Sequence, residues 1–340
     1  MQRTVLFFLL FCSSIAYAQN SQAVQAYNQG ITQYNSKNFS GSIASFNKAI
    51  KSDSTFGKAY FNRAICYLKM NNYEAAIADF TRAEALDTSR NNDKMFYGRA
   101  QAKYYAGNKE GALSDYILAG NRNPANADAH YFAGGLLYEK GKYQEAINQF
   151  NMAIKARNDF AEAYNDRASC KRQLEDYPGA IADYREATKL QPNLVEAYNN
   201  LAGTLAMSSK LQDALTEYDY AIRIAPSQVS TYVKRGKVKY EMDDLDGAME
   251  DFNKALELNP NDLYALNNRG CLKNKLHDYI GALADFDKAI SIAPDYGYAF
   301  MNRGIVKENM RDLKGACRDW SEANQHGVNV ASLYLDAECN

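Results

Sequence analysis

Residues 229–260 read VSTYVKRGKVKYEMDDLDGAMEDFNKALELNP, and residues 263–294 read LYALNNRGCLKNKLHDYIGALADFDKAISIAP. The two stretches are one unit written twice. Gly236 answers to Gly270, Ala248 to Ala282, Phe252 to Phe286, Ala255 to Ala289 and Pro260 to Pro294, every pair 34 residues apart. Each copy breaks at a polar pair, Asp243-Asp244 or His277-Asp278, into two helical segments. Pro closes the second segment because it cannot continue the hydrogen-bond ladder. A fixed period of this length predicts stacked helical hairpins, since one hairpin alone leaves its apolar face open.

Working outward, the same unit begins at Ala23, Gly57, Asp93, Ala127, Ala161, Val195, Val229, Leu263 and Gly297. Seven of the eight intervals are 34 residues and one is 36, where residues 89–92 lengthen a loop. Position 8 of the unit is Gly or Ala in all nine copies, and position 27 is Ala in all nine, from Ala49 to Ala323. Position 20 is Ala in eight and Ser42 in the first, and position 24 is always aromatic, ending at Trp320, the only tryptophan. Small residues at 8, 20 and 27 let helix axes approach to the short end of the usual ~8–10 Å range, and the aromatic at 24 fills the space beside them. The first unit, with Ala26 where most have an aromatic, is atypical as a capping unit should be. After His326-Gly327, a helix over 328–340 is expected to cover the last hairpin with Val330, Leu333, Tyr334 and Ala337.

This spacing resembles the tetratricopeptide repeat, over residues 23–327. The resemblance implies an all-α, right-handed superhelical solenoid of nine hairpins plus the capping helix, and a protein-binding scaffold without catalysis or cofactor.

The 39 basic and 40 acidic residues leave a net charge of −1, with no polybasic stripe for nucleic acid and no acidic tail. Residues 1–18 read as an export signal: Arg3, the apolar run Val5–Phe11, and Ala16-Tyr17-Ala18 before Gln19. Cleavage near Ala18 would place the chain in the periplasm or outside the cell. A lipoprotein signal on Cys12 is the rival, disfavoured by bulky Phe11. No later stretch is apolar enough to span a membrane. Catalysis has little to build on. His130, His277 and His326 fall in three different repeats without a ligand partner at i+4, so no metal site is expected.

One internal correlation stands out. Arg at position 7 (Arg63, Arg99, Arg167, Arg235, Arg269, Arg303) occurs in the same six units as Asp at position 23 (Asp79, Asp115, Asp183, Asp251, Asp285, Asp319). In an antiparallel hairpin these positions lie nearly opposite, which predicts structural ion pairs; a functional arginine row is the alternative, and the matched Asp weakens it. Five cysteines remain after residue 12. Cys66 and Cys170 are too far apart in the array to join, Cys271 is expected to face the groove, and Cys317 and Cys339 are the pair that antiparallel packing about Gly327 would bring together.

In the family, first helices line a concave groove through positions 2, 5, 6, 9, 12 and 13. The resemblance therefore implies a partner-binding groove of Tyr97, Tyr104, Tyr131 and Tyr138, with Asn165, Asn199, Asn200, Asn267, Asn268 and Asn302 supplying amides further along. The family's chaperone carboxylate clamp is absent, because no unit has Lys at 5, Asn at 9 or Arg at 6. The expected partner is a protein or peptide segment, in envelope assembly or secretion. Self-association and service as an accessory subunit of an envelope enzyme complex are the alternatives.

Overall fold

The computed structural model describes residues 21–87 and 92–339. Residues 1–18, expected above to be an export signal, and residues 89–91 of the lengthened loop lie outside them. All regular elements of the described residues are helices, with no strand among them.

The described residues form two compact units that divide between Leu174 and Glu175. The first holds α1 (21–35), α2 (Phe39–Ser52), α3 (Gly57–Lys69), α4 (Tyr73–Leu86), α5 (Asp93–Tyr105), α6 (Lys109–Arg122), α7 (Ala127–Glu139), α8 (Tyr143–Ala156) and α9 (Ala161–Gln173). The second holds α10 (Tyr177–Leu190), α11 (Val195–Met207), α12 (Leu211–Ile224), α13 (Val229–Glu241), α14 (Leu245–Leu258), α15 (Leu263–Lys275), α16 (Tyr279–Ile292), α17 (Gly297–Asn309), α18 (Leu313–Gln325) and α19 (Ala331–Glu338). Within each unit a helix packs on its neighbours in sequence, and first helices of successive repeats also touch, as α3 does α5 and α15 does α17.

The turn inside each repeat has one backbone solution. Position 15 is left-handed in all nine copies, at Lys37, Asn71, Gly107, Gly141, Glu175, Ser209, Asp243, His277 and Arg311. The next N–H then reaches back to position 11, as from Asp244 to the Lys239 carbonyl at 2.9 Å, which satisfies an orphan carbonyl of the helix end. Position 16 caps the following helix. Asn38, Asn72, Asn108, Asp176, Asp244, Asp278 and Asp312 each accept from the N–H three residues on. Gly at that third position keeps the cap open, since a Cβ on Gly281 would sit 2.1 Å from Asp278 Oδ2.

The hairpin core is the small–aromatic pair. A Cβ added at Gly30, Gly134, Gly236, Gly270 or Gly304 would fall 2.5–2.7 Å from the aromatic ring at position 24 of the same repeat. Phe46, Phe80, Phe150, Tyr184, Phe252, Phe286 and Trp320 are accordingly fully buried. At the C-terminal end the covering face differs from the expected one. Val330 and Leu333 are exposed, as is Ala337, while Val328, Ala331, Tyr334 and Leu335 pack on the cluster around Phe300 and Trp320. The reason is phase: left-handed Gly327 and a turn precede the helix, which starts at Ala331 rather than Val328.

Candidate functional site

The arginines at position 7 do more than close their own hairpins. Arg63, Arg99, Arg235, Arg269 and Arg303 each donate through Nε and Nη2 to both carboxylate oxygens of the position-23 aspartate, at 2.5–2.9 Å. Nη1 then turns to the preceding repeat. It reaches Asn47 from Arg63, Asp219 from Arg235, Asn253 from Arg269 and Asp287 from Arg303, always sixteen residues back, and Glu84 from Arg99. Arg167 makes the same backward bond to Asn151 at 2.6 Å; it lies in the first compact unit and Asp183 in the second. Burial opposes the charge on Arg235, but Asp251 and Asp219 more than offset it and hold the guanidinium above its ordinary pKa.

A second cation completes the arrangement. Lys103, Lys239, Lys273 and Lys307, at position 11, lie 2.7–3.0 Å from the same aspartates, Asp115, Asp251, Asp285 and Asp319. These aspartates are nearly fully buried, so each anion carries two cations. The repeated Lys was visible in the sequence as a third correlated position. The arrangement closes each hairpin and ties it to the repeat before.

In the first unit, the first-helix face is aromatic. Tyr97, Tyr131 and Tyr138 are half-buried and pack on the core around Leu136 and Phe150. Tyr131 rests against Phe160, ring centroids 4.7 Å apart, and its hydroxyl donates to Asp166 at 2.9 Å. Burial, with Asp128 nearby, pushes the Tyr97 hydroxyl up to about 12. Of the four expected tyrosines, Tyr104 is the exposed one, at 38%. Its exposed companions are Tyr105 at 61% and Phe132 at 41%, which occupy groove positions 13 and 6.

Two of the six amides depart from the sequence reading. Asn165 and Asn199 are buried, not presented. Asn165 Nδ2 donates to Asp166 at 3.0 Å, and Asn199 Nδ2 lies 3.5 Å from Gln228 Oε1. Asn302 Nδ2 donates to Asn267 Oδ1 at 2.8 Å, as Asn62 does to the Tyr27 hydroxyl at 2.9 Å. Position 5 of one repeat therefore meets position 6 of the next, 35 residues on, and the polar groups stitch hairpins together. Asn200 and Asn268 are half-buried. Asn268 lines a cavity of about 310 Å3 with Lys234, Lys237 and the exposed Tyr264.

Cys317 and Cys339 are joined, with Cα atoms 5.8 Å apart. The remaining described thiols are Cys66 and Cys170, both buried, and Cys271, which is partly buried against the core around Leu266. Burial pushes Cys170 up to about 12 and Cys271 up to about 11. His130 is buried with Nδ1 2.9 Å from Gln149 Oε1, and His326 stacks on Phe300. Among the described residues no three His, Cys, Asp or Glu side chains are grouped to hold a metal, and no helix is long and apolar enough to cross a membrane.

Models of the tetratricopeptide repeat match residues 57–88, 97–162, 171–209, 229–262 and 252–284, together more than half of the chain. An uncharacterised protein of Haemophilus influenzae is 32% identical over 113 residues, 32% of this chain and 60% of that protein. The Hsp70-Hsp90 organizing protein 1 of Glycine max is 29% identical over 180 residues, 43% of this chain and 32% of that one. The chain thus spans less than two thirds of the length of the curated relatives it matches. Among solved structures, the C-terminal part of a TPR repeat-containing protein from Cytophaga hutchinsonii superposes with a TM-score of 0.61 at 19% identity, over 71% of this chain and 98% of that one. A tetratricopeptide repeat protein from Parabacteroides merdae does so at 0.55 and 18%, over 74% and 98%. These structures share the fold of stacked helical hairpins.

Proposed function

We propose that this chain of tetratricopeptide repeats is a non-catalytic scaffold that is exported and binds segments of other proteins on its first-helix faces, in envelope assembly or secretion. The observation that carries the reading is the exposed aromatic surface of Tyr104, Tyr105 and Phe132. Large rings left open on a face otherwise stitched by its own hydrogen bonds are the kind of surface that binding hot spots use. Export is supported by the pattern of residues 1–18 and by the Cys317–Cys339 bridge, since disulfides persist in oxidising compartments. The backward arginine bonds and the stitching amides give a face rigid enough to bind without prior ordering.

A photo-crosslinking amino acid placed at Tyr105 or Tyr264 in living cells tests the binding reading. The expected result is a discrete protein adduct from those positions and none from exposed Met152 or Lys288 on the second helices. Adducts from the second helices alone would sink it. N-terminal sequencing of the protein from the exported fraction should begin at Gln19; a chain that keeps residues 1–18 and stays in the cytosol refutes the export part.

A further inference from the structure

Helices α5 and α7 of the first unit flank a cavity of about 210 Å3, walled by Tyr104, Tyr105, Tyr116, Tyr131 and Phe132. The rings form two groups across the cavity: Tyr104 meets Tyr105 at 5.6 Å, while Tyr116 stacks on Phe132 at 5.4 Å and Phe132 meets Tyr131 at 5.5 Å between centroids. The polar part of the wall is acidic. Glu139 and Asp166 line it with Gln101, and no Lys, Arg or His does. The cavity exists because position 9 is Gly135 here, whose missing side chain would meet nothing within 4 Å.

We propose that this cavity takes the basic side chain, Lys or Arg, of an extended protein segment and thereby sets the partner's sequence preference; the proposal rests on the scaffold reading above. Ring faces carry negative potential, so a cation among several of them is attracted, more so when desolvated. A carboxylate at the mouth supplies the counter-charge that an apolar residue would not use. Glu139 is held by Lys109 at 2.7 Å, but both are about half exposed, and such a surface pair exchanges its cation at little cost. Asp166, accepting from Tyr131 and Asn165, contributes a fixed negative charge at the inner wall. The space suits a single long side chain and not a bulky ligand.

The test begins with a random dodecapeptide library displayed on phage and selected on the full chain. Selected peptides are then titrated as synthetic peptides against wild type, Gly135→Leu and Glu139→Gln. Gly135→Leu fills the cavity from a helical position with free space, and its thermal unfolding should match or exceed that of wild type. Expected are peptides with Lys or Arg at one fixed position, and a loss of about tenfold or more when that residue becomes norleucine or citrulline. Gly135→Leu should lose as much, and Glu139→Gln should lose about twofold to fivefold with a shallower salt dependence. Selected peptides without a basic residue, or an affinity that Gly135→Leu leaves unchanged, overturn the cavity assignment while the scaffold reading stands. A selection that enriches nothing overturns both.

Discussion

Arg235 grips Asp251 with two nitrogens sixteen residues ahead, at 2.9 and 2.5 Å, while its third nitrogen reaches Asp219 sixteen residues behind. The two contacts differ in burial: the Asp251 side chain is 3% exposed and that of Asp219 56%. Asp251→Asn should therefore cost about 3 kcal/mol, because Arg235 and Lys239 both lose a buried counter-charge. Asp219→Asn should cost less than about 1 kcal/mol. Urea unfolding measures both, and equal costs would place the strength of the clasp at its outer contact instead.

Two glycines in adjacent repeat positions should respond to Ala with opposite sign. At Gly304 the new methyl would lie 2.5 Å from Trp320 Nε1, inside a fully packed crossing, and should cost about 1–3 kcal/mol. At Gly203 the nearest atom is the Tyr218 hydroxyl at 3.6 Å, so Ala should fit and stabilise by roughly 0.5–1 kcal/mol. Thermal melts of the two variants decide it. A loss at Gly203 would mean that its helix needs glycine for another reason.

How far such contrasts could be read beforehand depends on what each position demands. Gly270 and Phe286 declare themselves because only a hydrogen in one place admits a ring in the other. Arg269 and Asp285 do so because a buried charge needs its partner. The left-handed turn residue is legible in place but not in kind: His277, Lys37 and Glu175 all occupy it, since one strained residue costs only about 1–2 kcal/mol and the turn's hydrogen bonds hold it. The amides misled for a related reason. Asn267 has the same composition whether it faces a ligand or Asn302, and only the 35-residue register between repeats distinguishes the two. Tyr105 was passed over beside Tyr104 because exposure, not residue type, separates them.

Alkaline conditions should loosen the first unit before they touch its ionic pairs. Cys170 is pushed from an ordinary 9.0 up to about 12 by burial, so between those values the unfolded chain loses a proton that the folded chain keeps. Stability is then fully present below about pH 9 and falls as pH rises toward 12. Cys170→Ala should make the decline shallower over that window. Denaturant midpoints at pH 8, 9 and 10 measure it, and an unchanged slope in Cys170→Ala would assign the decline to the buried tyrosines alone.

Removing the C-terminal bridge should act locally. Cys339→Ser opens a link across 22 residues and should cost about 3 kcal/mol of stability at the end of the second unit. Hydrogen exchange should quicken in α17, α18 and α19 and stay unchanged at α13, because each repeat leans only on its neighbours. Uniform quickening would show that the cap governs the whole unit.

The arginines also sort the joints between repeats into two kinds. Each one rivets its repeat to the one before, and two repeats lack the rivet: Ala133 and Leu201 stand where the guanidinium would be. The joints ahead of α7 and α11 therefore go without that fastening, and surface pairs, Lys109 with Glu139 and Lys140 with Glu110, cross the first of them, while Arg63, Arg99, Arg235, Arg269 and Arg303 each span their own joint. The joint ahead of α7 is also the one beside Tyr105 and Phe132. The rings of the proposed cavity thus stand at a joint whose cross-repeat ion pairs face solvent, where a partner's cation can replace one of them without opening a buried guanidinium.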